Sequence, residues 1–229
     1  MAKDMTKGNI TSQLISFTIP LVLGNLFQLT YNAADSVIVG KFLGDSALAS
    51  VGTAGPVMNL VILFFSGMCM GAGILMSTMF GAKNYEKLEK EISTSLIGGL
   101  FLSICISLFM LFFATPILRL MRVPSEVLAG ASGYLRIIFA GLIFTFIYNF
   151  LSNTLRALGD SKTPLYFLTI SAVLNIILDL LFVVGFRWGV NGSAIATVLS
   201  GALCCLFCAI HIKRNVPILC LGKKWFVFE

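Results

Sequence analysis

The chain has 229 residues, 58% of them hydrophobic and only 11% charged, with a mean hydropathy of +0.96. Soluble domains carry about 25% charged residues, so a soluble enzyme is excluded and an integral membrane protein is expected. The net charge of +6 does not point to nucleic acid, because the basic residues flank apolar runs as topology signals do.

A membrane span needs about 20 apolar residues. Six runs meet that length, over residues 14–40, 47–80, 92–118, 127–155, 164–186 and 193–212. They use most of the chain, so residues 1–229 are predicted to form a single membrane domain. The fold class expected is an all-α membrane protein, a six-transmembrane-helix bundle. Six cysteines lie in or beside the apolar runs at no spacing that suggests a disulfide framework. Cys204 and Cys208 share a helical face, but small apolar cysteines are common in helices, and no metal is expected beyond Na⁺.

Met1–Thr11 is a short polar start with Lys3 and Lys7. The run that follows is longer than a signal-peptide core of about 7–15 residues and is dotted with Asn and Asp, so no cleavage is expected. In this first span Asn25, Gln28, Tyr31, Asn32 and Asp35 fall within an arc of about 120° at 100° per residue. A polar stripe in a membrane helix must face protein or water. Pro20 removes one backbone hydrogen bond from the same helix and is a candidate hinge, or else a static kink.

Lys41–Asp45 reads as a tight turn. The second span carries Pro56 and the small residues Gly67, Gly71 and Gly73, which let helices approach closely. Residues 81–91 are the most charged stretch, and their mixed charges at helical spacing predict a short solvated helix between spans. The third span is nearly featureless. The fourth ends with Tyr148, Asn149 and Asn153, and Arg156-Ala-Leu-Gly-Asp160-Ser-Lys-Thr-Pro164 is a polar loop rich in turn formers.

The fifth span carries a carboxylate, Asp179, near its middle, at an insertion cost of about 2.5–3.5 kcal/mol. Asn175 and Ser171 lie one and two turns earlier on the same face. Trp188 is placed like an interfacial anchor. The sixth span has Ser193, Thr197 and Ser200 on one face.

Short-loop Lys and Arg residues number eleven on the side of both termini (3, 7, 83, 87, 90, 156, 162, 213, 214, 223, 224) and five on the other (41, 119, 122, 136, 187). Both termini are therefore expected in the cytoplasm of a multi-pass cell-membrane protein. In that orientation Asp35, Asp179 and Thr197 share the outer half of the bilayer from three different helices, with Asn153 nearer the inner face. Hydrogen-bonded glue between helices accounts for Thr197 or Asn153, but poorly for two buried carboxylates. Two acids close together cannot both stay ionised easily, and a proton on one or a cation between them relieves the repulsion. The cation- or proton-binding candidates are Asp35, Asn175, Asp179 and Thr197, the makings of a coupling site in a secondary transporter.

Pro20 with Tyr31-Asn-Ala-Ala-Asp35-Ser-Val-Ile-Val-Gly40, the loop 156–164, Leu174-Asn-Ile-Ile-Leu-Asp179 and Gly192-Ser-Ala-Ile-Ala-Thr197 resemble the MATE (multidrug and toxic compound extrusion) transporters, and their order matches the amino-terminal half of that family. The resemblance implies one lobe of a twelve-helix transporter that exchanges Na⁺ or H⁺ for bulky, often cationic amphiphiles, with no cofactor and no enzymatic activity. It implies that Asp35 couples ion contact to bending near Pro20, that Asn175, Asp179 and Thr197 complete the site, and that Tyr31 and Asn153 belong to the surrounding network. Asn25, Gln28, Asn32 and Asn149 are further cavity-lining candidates. No second lobe follows in this sequence, so a fragment, a truncated product or a parallel homodimer is expected. The alternatives are a lipid-linked oligosaccharide or peptidoglycan-precursor flippase of the same superfold, for which the spans lack a basic cluster, and a non-transporting lobe.

Overall fold

The computed structural model describes residues 9–215. Lys3, Lys7, Cys220, Lys223 and Lys224 lie outside the described residues. Within them the chain is helical throughout: α1 (Ile10–Leu43), α2 (Asp45–Gly81), α3 (Tyr85–Leu120), α4 (Ser125–Ala140), α5 (Leu142–Ala157), α6 (Lys162–Asp179), a π-helical turn (Leu180–Gly185) and α7 (Val190–Asn215). Five helical stretches are long and apolar enough to cross a membrane, and α4 with α5 makes a sixth as a broken span. The expected all-α membrane bundle is therefore observed.

Three local features differ from the sequence expectation. The charged stretch 81–91 is not a separate helix: Asn84 accepts from the Lys87 amide, capping a helix that runs from Tyr85 without interruption into the apolar span. The turn after α1 shrinks to Gly44 alone, held at φ 83° where a side chain would strain the backbone. The fourth span is broken at Gly141, with 49° between α4 and α5.

The break, with no proline near, falls where another helix comes closest. A Cβ at Gly141 would lie 2.5 Å from Val198 Cγ2, so α7 presses directly on the bare backbone. The carbonyl of Phe139, close to the break, accepts a 2.7 Å hydrogen bond from Ser107 of α3. Such external satisfaction is what makes an interruption tolerable at membrane depth.

The core lies among α2, α3 and α5, where Phe65, Phe146 and Phe150 are buried with ring centroids 5.7 and 5.9 Å apart. Gly99 of α3 faces this cluster, and any Cβ there would overlap the Phe146 ring. The outer surface of α3 is apolar and bare, with Phe101 69% and Phe112 74% exposed, as a lipid-facing helix requires. α6 packs against both α1 and α7, which brings the polar residues of three distant stretches together.

Candidate functional site

The polar seam begins where the start of α6 meets the end of α7 and rises by turns along α6. Cys204 Sγ donates to the Phe167 carbonyl at 3.3 Å, Ser171 Oγ to the Ser200 carbonyl at 3.4 Å, and Asn175 Nδ2 to Thr197 Oγ1 at 3.3 Å. Spacings of four residues keep Phe167, Ser171 and Asn175 on the face of α6 that meets α7. One turn beyond Asn175 comes Asp179, fully buried, and α1 delivers Asp35 to the same place, only 8% exposed. The two carboxylates are direct neighbours. Tyr31 on α1 and Tyr134 on α4 lie within electrostatic reach of both acids.

The hydrogen-bond supply at this point is uneven. Ser193 Oγ donates to Asp35 Oδ1 at 2.6 Å, joining residues 158 positions apart in the chain. Ser193 also neighbours Asp179, yet among the described residues no donor reaches either oxygen of Asp179, nor Asn175 Oδ1. Buried acceptors in native proteins are nearly always satisfied, and leaving one without a partner costs about 1–3 kcal/mol, more for a charged group. Three such oxygens on successive turns of one face of α6 can be met by a proton, a cation or an ordered water. The oxygens are hard ligands from carboxylates, an amide and hydroxyls, which suit a hard cation rather than a soft metal.

The π turn shapes the end of the site beyond Asp179. It starts immediately after Asp179, and the Phe186 amide donates to the Leu181 carbonyl at 2.9 Å. π-helical insertions of this kind occur often at functional positions. Phe182, Phe186 and Trp188 stack over the corner, with Phe182 and Trp188 centroids 5.1 Å apart and Phe186 and Trp188 centroids 5.4 Å apart. Trp188 is thus packed on its own corner as well as placed at the end of a span.

The remaining candidates divide. Pro20 is buried within α1, which continues unbroken on either side. Tyr31 is half-buried beside the acids, but Asn25, Gln28 and Asn32 are exposed. The stripe on α1 is therefore split, one edge turned to the bundle and the other away from it. Asn153 Nδ2 donates to the Asn149 carbonyl and Asn149 Nδ2 to the Thr145 carbonyl, both at 2.9 Å. Their amides are thus engaged on their own helix, and Asn153 packs near Gly73 of α2. Two residues of the acid cluster were not among the candidates. Tyr134 gives only the signal of a polar-tipped aromatic in an apolar run, and Ser193 only its position one turn before Thr197.

This geometry has counterparts. The family model described as MatE matches residues 20–181. The probable multidrug resistance protein YpnP of Bacillus subtilis is 35% identical over 214 residues, which is 93% of this chain and 48% of YpnP. An outward-facing multidrug resistance MATE family transporter of the MOP superfamily superposes with a TM-score of 0.89 at 29% identity, covering 97% of this chain and 49% of that one. An inward-facing structure superposes with a TM-score of 0.81 at 29% identity, covering 87% and 45%. The chain spans about half the length of the curated relatives it matches.

Proposed function

The chain belongs to the MATE family, and from that premise we propose that it is the cation-binding lobe of a Na⁺- or H⁺-coupled antiporter that exports drugs or other toxic organic compounds. The family is one of multidrug efflux transporters rather than enzymes, needs no cofactor, and the chain is a multi-pass membrane protein. The observation that carries the reading is the pair Asp35 and Asp179: adjacent, buried, and with both oxygens of Asp179 lacking a donor among the described residues. A proton or a monovalent cation satisfies those oxygens and removes the repulsion between the acids. Because Asp35 belongs to α1 and Asp179 to α6, filling and emptying the site changes how tightly α1 is held to the bundle, and Pro20 gives α1 a place to bend.

Asp35, Asn175, Asp179 and Thr197 are the ion ligands in this reading, with Tyr31 beside them. Asn153 belongs to the supporting network with Tyr31, and Asn149, Asn25, Gln28 and Asn32 serve the wall of the substrate cavity. The exposure of Asn25, Gln28 and Asn32 on a membrane helix supports a second lobe, or a parallel second copy, across a shared cavity for small amphiphilic, often cationic compounds. The basic residues of the inner loops support cytoplasmic termini. In cells expressing the transporter that contains this lobe, Asp35→Asn and Asp179→Asn should each abolish ion-driven efflux of a cationic dye while leaving membrane insertion intact. Efflux at the unmodified level in both variants would remove the coupling role.

A further inference from the structure

Ser193 sits in the first turn of α7, fully buried. A serine inside a helix ordinarily turns its hydroxyl back on its own helix, to a carbonyl one turn earlier. Here the hydroxyl crosses to α1 instead and donates to Asp35 Oδ1 at 2.6 Å, in the short range of hydrogen bonds to a carboxylate.

The backbone on either side explains why it reaches that far. Gly192 has no side chain, and a Cβ there would lie 3.2 Å from both the Phe182 carbonyl oxygen and Trp188 Cβ. The start of α7 is therefore seated hard against the π turn, which itself begins one residue after Asp179. Asp179 and Ser193 belong to one stiff corner, and the Ser193 hydroxyl is its bond to Asp35 of α1.

A hydroxyl has one hydrogen and two acceptor lone pairs. With its hydrogen on Asp35, the Ser193 oxygen keeps lone pairs free beside Asp179. We propose that Ser193 is a positioning residue of the cation site, whose hydroxyl hydrogen ties Asp35 to the α6–α7 corner while its oxygen faces the cation shared by Asp35 and Asp179. This rests on the cation-site reading above and adds to it a residue in which the donor and the ligand are one group.

The test uses the full chain purified in detergent, with ²²Na⁺ as the probe and choline replacing Na⁺ at constant ionic strength. Ser193→Ala should weaken Na⁺ binding by about tenfold or more, the scale of a lost hydrogen bond to a charged group. It should also displace the infrared carboxyl band that disappears in Asp35→Asn, a readout that a purely structural loss would not move. Ser193→Thr, which restores the hydroxyl, should return both toward the unmodified values. Ser193→Cys, nearly isosteric but a weaker donor, repeats the test at smaller amplitude should the alanine variant not insert. If the unmodified chain takes a proton instead of Na⁺, the same comparison is read from the pH midpoint of that band. Asp179→Asn separates the two levels of argument. Unchanged binding in Asp179→Asn overturns the cation site itself. Lost binding there, with Ser193→Ala and Ser193→Cys binding within about twofold of the unmodified chain and the Asp35 band in place, overturns the role of Ser193 alone.

Discussion

Asp160 and Asp179 are both buried carboxylates of the same bundle, yet they are treated in opposite ways. Asp160 sits in the loop before α6 and is surrounded by donors: the amides of Lys162 and Thr163 give hydrogen bonds to Oδ1 at 3.2 and 3.0 Å, and the Thr163 hydroxyl gives one to Oδ2 at 2.7 Å. Burial pushes its carboxyl up, but the Thr163 amide and hydroxyl outweigh that and hold it below the usual carboxylate range. Asp179, at the far end of the same helix, receives nothing from the described residues. One acid is a finished helix cap. The other has no donor among the described residues, and such an acid inside a membrane span is a candidate for function rather than a structural cap.

The comparison is broken most sharply by removing each charge in turn. Asp179→Asn should abolish coupled efflux, yet in cation-free detergent it should leave thermal stability unchanged or raised, because it removes a buried charge that lacks a partner. A marked fall in melting temperature would show that the carboxylate is structural, like Asp160. Next in size, Asp160→Ala should leave two first-turn amides of α6 without acceptors and cost roughly 0.5–2 kcal/mol, the usual range for a lost cap. Thermal unfolding measures it, and efflux per folded molecule should persist.

Acid sharpens the same contrast. Asp160 has a folded-state pKa below its unfolded value of about 3.9. Its stabilisation is therefore fully present above that pH and is lost as pH falls through the lower folded value. A melting-temperature series from pH 6 down to about pH 3 should fall less steeply in Asp160→Asn than in the unmodified chain. Smallest of all, Thr163→Val removes one hydroxyl hydrogen bond to the carboxylate, at about 1 kcal/mol. An equal or larger loss of stability from Thr197→Val, on α7 where it meets Asn175 near the other end of α6, would mean that the Asn175 seam is packing glue after all.

The two acids of the site were legible because a charge in an apolar run has few explanations, and the four-residue spacing of Asn175 and Asp179 puts those two on one face of α6. The bundle was legible for the same reason: length and hydropathy decide it. Other features left no trace that one sequence can carry. Ser193 reads as an ordinary residue at a helix start, and its partner is 158 positions away. The break at Gly141 lies in Ile137-Ile-Phe-Ala-Gly-Leu-Ile143, apolar throughout and without proline, at the point where Val198 of α7 packs on the bare glycine. Helical periodicity put Asn25, Gln28, Asn32 and Asp35 in one arc, but it could not tell which edge of a broad stripe the bundle would claim. Asn153 looked free to join a network, while its amide is taken up by the carbonyl one turn back.

That divided stripe leaves α1 with a side that oil cannot wet. Asn25, Gln28 and Asn32 offer amides where hydrocarbon has nothing to return, so whatever stands opposite must bring moisture or polar groups of its own. Surrounded by lipid alone, this edge of α1 would strand three amides among its exposed apolar neighbours Leu26, Phe27 and Leu29.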